Sequence, residues 1–122
     1  MKLIVEKEQS AGSVIQIVKV DGYLDAHTFP ELERTLQSLM EAGSSRILLD
    51  FETLDYISSA GLGLLLGMHR MALQNQGGLK IMRMPESISR IFGVLGFTKV
   101  IEVYPDRQAA LAAFGASGSG QT

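Results

Sequence analysis

Cysteine is absent from the 122 residues, which removes disulfides, thiolate nucleophiles and zinc–thiolate centres together. Histidine is scarce: His27 and His69 stand far apart and show no metal-ligand spacing. Neither sign of charge dominates, with 11 Lys and Arg against 13 Asp and Glu for a net charge of −2. That balance leaves no basic footprint for nucleic acid or anionic lipid. Long hydrophobic runs are missing too. The longest apolar region, Ala60 to Met68, is interrupted by glycines and falls far short of the ~20 residues a membrane span needs. Met1 to Glu8 turns charged after three apolar residues, which is no secretory signal. The expectation is a cytoplasmic protein without cofactor or metal, touching neither membrane nor nucleic acid.

What is present is ordinary globular material. Hydrophobic residues make up 46% and charged residues 20%, enough apolar side chain for one core and too much for a disordered chain. The length suits one domain, expected over residues 1–114. Gly115 to Thr122 is glycine, serine and polar residues, expected to form a flexible tail.

Periodicity places the elements. Leu3-Ile4-Val5 begins a strand, and the β-branched run Val14 to Val20 reads as its hairpin partner, extended as far as Leu24. Thr28 is the expected N-cap of a first helix, with Pro30 in its first turn and Glu31 closing a capping box. Phe29, Leu32, Leu36, Leu39 and Met40 form its buried stripe, and Gly43 stops it. Arg46 to Phe51 reads as a strand covered on both faces. Asp55 to Gly63 is expected as a loop opening a second helix that ends near Gly77-Gly78. A strand over Leu79–Met82, a helix over Glu86–Leu95, a strand over Ile101–Val103 and a helix over Asp106–Phe114 complete the pattern. Two strands followed by helix–strand alternation give the α/β class: a mixed four- to five-stranded sheet with about four helices.

The unusual stretch is Asp55-Tyr56-Ile57-Ser58-Ser59-Ala60-Gly61-Leu62-Gly63, directly after a buried strand and opening a helix. Adjacent hydroxyls there can cap free backbone N–H groups, and the same end of a helix favours an attached anion. The glycines let another backbone approach, at about 1 kcal/mol each against alanine in a helix. The competing reading makes Ser58 and Ser59 caps and the glycines packing residues. No Gly-Lys-Ser/Thr phosphate loop and no Gly-x-Ser-x-Gly nucleophile elbow is present. The second helix is apolar almost all round. Leu62, Leu65, Leu66, Ala72 and Leu73 make one face, and Leu64, Met68 and Met71 another, so part of it is either buried or offered to a partner.

Read as D-Y-I-S-S-A-G-L-G-L-L-L-G, Asp55 to Gly67 resembles the signature loop of STAS domains, especially bacterial anti-sigma factor antagonists. The resemblance extends to Gly22-Tyr23-Leu24-Asp25, where the family carries Gly-x-Leu-Asp. It also covers Ile47 to Phe51, Gly77-Gly78 and the stretch from Ile91-Phe92 to Gly96-Phe97. It implies a single STAS domain whose phosphorylated residue, two positions before Gly-Leu-Gly, is Ser59, with Ser58 the alternative acceptor. The expected partner surface is Asp25, Asp55, Ser58, Ser59, Ala60, Gly61, Leu62, Gly63, Leu64 and Met68. The implied partners are a GHKL-type serine kinase that doubles as an anti-sigma factor and a metal-dependent serine phosphatase. The protein itself would be a monomer or weak homodimer acting by partner switching in transcription regulation. Where many antagonists carry an aspartate before the acceptor and a second hydroxyl after it, this chain has Ser58 and Ala60. Two other functions stay open: a STAS module that senses a small ligand or serves a signalling assembly, and an enzyme using Ser59 as nucleophile, for which only His27 or His69 could supply a base.

Overall fold

The computed structural model describes residues 1–10 and 12–120, with side chains described as far as residue 115. Its elements run β1 (Lys2–Ser10), β2 (Ser13–Leu24), α1 (Phe29–Glu41), β3 (Arg46–Asp50), β4 (Leu54–Ile57), α2 (Ser59–Gln74), β5 (Gly78–Met82), α3 (Glu86–Val94), β6 (Glu102–Tyr104) and α4 (Arg107–Gly120), with a short 3-10 turn at Phe97–Lys99 before β6. The α/β expectation holds, and the mixed sheet carries β4 as a sixth strand, ordered β1-β2-β3-β5-β6 with β4 paired to β2.

β1 and β2 form an antiparallel hairpin in register from Lys2↔Asp21 to Ser10↔Ser13. The strand is therefore longer than its apolar start, because backbone pairing carries it through Glu6-Lys7-Glu8. Charged side chains are tolerated on an edge strand, where they also discourage pairing with other chains. β3, β5 and β6 then add in parallel, each reached through a helical crossover.

Alternation along the strands sorts the core into two layers. Val18, Val20, Ile47, Leu49, Leu79 and Ile81 meet Leu32, Leu36 and Met40 of α1, Leu62, Leu65 and Met68 of α2, and Ile88 and Phe92 of α3. Ile15, Ile17, Leu48 and Met82 face the other way, onto Ala110 and Phe114 of α4. Three helices on one face and one on the other explain why β2 and β3 read as continuous apolar runs. Buried Asp50 is held by Arg83 at 3.4 Å and by the Glu52 N–H at 3.1 Å. On the outer side of α4, Arg107 ties the helix to β1 through Glu6 and Glu8 at 3.1 and 2.5 Å. The α4 backbone continues to Gly120, past the expected end at Phe114. Residues 121 and 122, the end of the expected tail, lie outside the described residues.

Two expectations change. Leu54–Ile57 is a strand, not loop: it pairs in parallel with Gly22–Leu24, past a bulge where β2 leaves β1 behind. Gly22 makes that exchange possible, with a φ of 103° that other residues rarely adopt and an N–H donated to the Thr53 carbonyl at 3.1 Å. The capping box on α1 does not form either. Thr28 holds the N-cap position without a side-chain cap bond, because its hydroxyl donates to the Tyr23 carbonyl at 2.7 Å and accepts the Asp25 N–H at 3.0 Å. Asp25 fills the gap: its Oδ1 accepts the N–H groups of His27 at 2.9 Å and Thr28 at 3.0 Å. A short acceptor two or three residues upstream outcompetes the box.

Candidate functional site

The parallel pairing of β4 with the end of β2 brings two chain exits together. Leu24 lies opposite Ile57, so Asp25 and Ser58 leave neighbouring strands side by side. The Ser58 N–H donates to the Leu24 carbonyl at 2.9 Å. The Ser58 side chain then caps α2 by accepting the Gly61 N–H at 3.2 Å, a bond that steadies a helix end by about 1 kcal/mol. With Ser58 committed and half-buried, Ser59 is the first residue of α2 and is exposed. Its hydroxyl makes no hydrogen bond among the described residues. Other N–H groups of this first turn carry the positive end of the helix dipole, and no acidic residue occupies it.

The two glycines divide the alternatives between them. A Cβ on Gly61 would lie 2.8 Å from the Leu24 carbonyl oxygen and 2.9 Å from the Leu24 side chain, so Gly61 is a packing glycine that lets α2 start against β2. A Cβ on Gly63 would meet nothing within 4 Å, and Gly63 is exposed. No packing contact among the described residues accounts for it.

Of the other sequence-derived site residues, Asp55 is exposed and Ala60 half-buried. Asp25 is half-buried, and the backbone N–H of Thr28 first, then that of His27 and the Thr28 hydroxyl, hold its carboxyl below the usual 3.8 against an opposing effect of burial. Its Oδ1 thus does the work of a turn residue, and it stays charged at neutral pH. Gly61, Leu62, Leu64 and Met68 are buried. The sheet and the neighbouring helices cover these residues within this chain, which leaves the exposed members of the expected surface as the ones offered outward. Leu66 and Met71 pack at the margin of the same core, so the all-round apolar character of α2 is mostly spent on burial.

Two residues beside the site were missed. Tyr23 and Tyr56 lie in register on β2 and β4, 57% and 48% exposed, with ring centroids 5.9 Å apart. Large aromatic rings left in water next to a charged turn are the side chains that anchor protein contacts. Reading Leu54–Ile57 as a strand parallel to Gly22–Leu24 would have found them. The imidazole of His69 does not reach the site: it is ten residues along α2 from Ser59, about 15 Å of helix rise, and its Nδ1 accepts the Leu79 N–H at 3.0 Å. Among the described residues no group of His, Asp and Glu is arranged to hold a metal, and no helix is long and apolar enough to cross a membrane.

The STAS domain family model matches residues 5–110. The chain belongs to the STAS domain family. A Staphylococcus aureus relative named anti-sigma-B factor antagonist is 36% identical over 86 residues, covering 70% of this chain and 80% of its own. An anti-sigma factor antagonist from Mycobacterium paratuberculosis superposes with a TM-score of 0.77 at 21% identity, over 93% of this STAS chain and 94% of its own. The anti-sigma factor antagonist SpoIIAA from Bacillus has structures in unphosphorylated and phosphorylated forms. The phosphorylated one matches with a TM-score of 0.67 at 19% identity over 88% of this chain and 96% of its own. At these identities the structures establish the fold they share with this STAS domain.

Proposed function

We propose that this STAS protein is a phosphorylation-regulated anti-sigma factor antagonist. Unphosphorylated, it docks a GHKL-type serine kinase that serves as anti-sigma factor onto the surface around Ser59, and the sigma factor is released. The kinase transfers the γ-phosphoryl group of ATP to the Ser59 oxygen: the hydroxyl proton goes to a kinase base, the new O–P bond forms and ADP leaves. A metal-dependent serine phosphatase hydrolyses the ester and resets the switch. The observation that carries the reading is the division of labour between adjacent serines, Ser58 engaged as helix cap and Ser59 exposed at the first position of α2. The Staphylococcus and Mycobacterium relatives, both named as anti-sigma factor antagonists, support the same activity, and the two forms of SpoIIAA support a phosphorylated state.

The physics of the switch is local. Phosphate adds about −1.5 to −2 charge at pH 7. Within the domain that charge faces the free amides of α2 and unfolds nothing. A partner lying over exposed Gly63, anchored on Tyr23 and Tyr56 and close to Asp55, meets added bulk and a strongly hydrated anion. Incubation of the full chain with its kinase and ATP, followed by mapping of the phosphate, tests the acceptor. Label is expected on Ser59, retained in Ser58→Ala and lost in Ser59→Ala. Label that persists in Ser59→Ala would overturn the assignment.

A further inference from the structure

At the far end of α2 the chain leaves a cleft that the switch does not use. Leu73 is 14 residues beyond Ser59, about 21 Å along the helix. There α2, the start of β5, the 3-10 turn and α4 surround a cavity of about 360 Å³, within the roughly 300–1,000 Å³ of small-molecule sites. Its charges do not cancel. Lys80 is neutralised by an ion pair with Glu102, yet Arg46 and Lys99 also line the cavity. Neither has an ion-pair partner among the described residues; Arg46 makes only a 3.0 Å bond to the Ser13 hydroxyl. Two uncompensated cations in a protein of net charge −2 create a local positive field against the overall sign. Beside His69 and Gln76, the rest of the wall has an apolar side. Leu73 and Val100 line it while remaining 55% and 51% exposed, and Phe114 contributes its ring. The lip is shaped by backbone under constraint. Gln76 sits at a φ of 61°, sparsely populated for a residue with a side chain, and the next residue, Gly77, is pressed so closely on Ser45 that a Cβ would fall 1.9 Å from its carbonyl oxygen.

We propose that this cavity binds a small organic anion, a carboxylate or phosphate head carried on an apolar body. The head is held by Lys99 and Arg46, and the body lies against Leu73, Val100 and Phe114. Neither Ser59 nor its face takes part, so the proposal stands or falls apart from the switch.

Amide NMR of the full ¹⁵N-labelled chain tests it with four probes: phenyl phosphate, benzoate, inorganic phosphate for the head alone and benzyl alcohol for the body alone. Saturable shifts are expected at the amides of Gly77 to Lys80 and Lys99 to Ile101 with phenyl phosphate or benzoate, whichever head the site prefers, and much weaker ones with the two partial probes. Lys99→Glu is a change on an exposed side chain and should preserve the remaining spectrum while lowering affinity about tenfold or more. No saturable shift at those amides with either complete probe would overturn the proposal. So would binding that Lys99→Glu leaves unchanged, or inorganic phosphate or benzyl alcohol binding as tightly as the complete probes.

Discussion

Ser58 and Ser59 carry the same side chain one residue apart, and the backbone gives them opposite environments. The first hydroxyl is turned back onto the Gly61 N–H; the second faces water. Gly61 and Gly63 repeat the contrast, one pressed on Leu24 and the other opening on empty space. Gly63→Ala should therefore separate stability from function. It is expected to raise stability by up to about 1 kcal/mol in denaturant titration, since alanine is the better helix former, while weakening partner binding in the same preparation. Unchanged binding would remove Gly63 from the docking face. The start of α2 was legible in the sequence, because two hydroxyls after an apolar strand and before a helical pattern mark a helix start; the choice of Ser59 as proposed acceptor rests on the family resemblance. The use of Asp25 was less legible. A carboxylate at a strand end fits either recognition of a kinase or closure of a turn, and only the geometry shows Oδ1 taking the two N–H groups.

At the scale of elements, α2 is positioned from both ends by glycines. Gly61 seats its start on β2, and Gly77, just beyond its end, lies against Ser45. Gly77→Ala would drive a methyl group into a carbonyl, so it is expected to lower stability by about 1–3 kcal/mol, read as a reduced Tm with partner affinity retained once folded. A variant as stable as the parent would show that the turn has room to give. The helices and strands β2, β3 and β5 were readable from their apolar patterns, whereas β1 showed only its apolar start, because none of its residues is buried and pairing with β2 carries it on through charged positions. β4 was not readable. Four residues, Leu-Asp-Tyr-Ile, with only Leu54 and Ile57 buried, are too few to show a period, and their place in the sheet depends on a register shift at Gly22. The cap of α1 was misread because Thr28 and Glu31 have the spacing of a capping box, whereas Tyr23 and Asp25 claim the Thr28 hydroxyl.

Across the whole molecule, one sheet keeps the candidate switch and the cavity at opposite ends of the same helix. His69 belongs to the cavity end and ties α2 to β5 through the Leu79 N–H. Burial first, then the charge of Lys80, hold its pKa below 6.5, against opposing effects of the Val100 backbone and Glu102. The unfolded chain thus binds a proton at His69 before the folded one does. This histidine's contribution to stability is complete above the ordinary value of 6.5 and is lost as pH falls below it. Denaturant midpoints taken from about pH 7.5 to about pH 5 should fall, and should fall less in His69→Gln. Parallel curves would exclude His69. The central claim is tested most directly by calorimetric titration of the intact protein into its kinase partner, with Ser59 free and with Ser59 fully phosphorylated. The phosphorylated form is expected to bind about 5- to 150-fold more weakly, a coupling of about 1–3 kcal/mol, with an unchanged Tm. Equal affinity of the two forms would contradict the account.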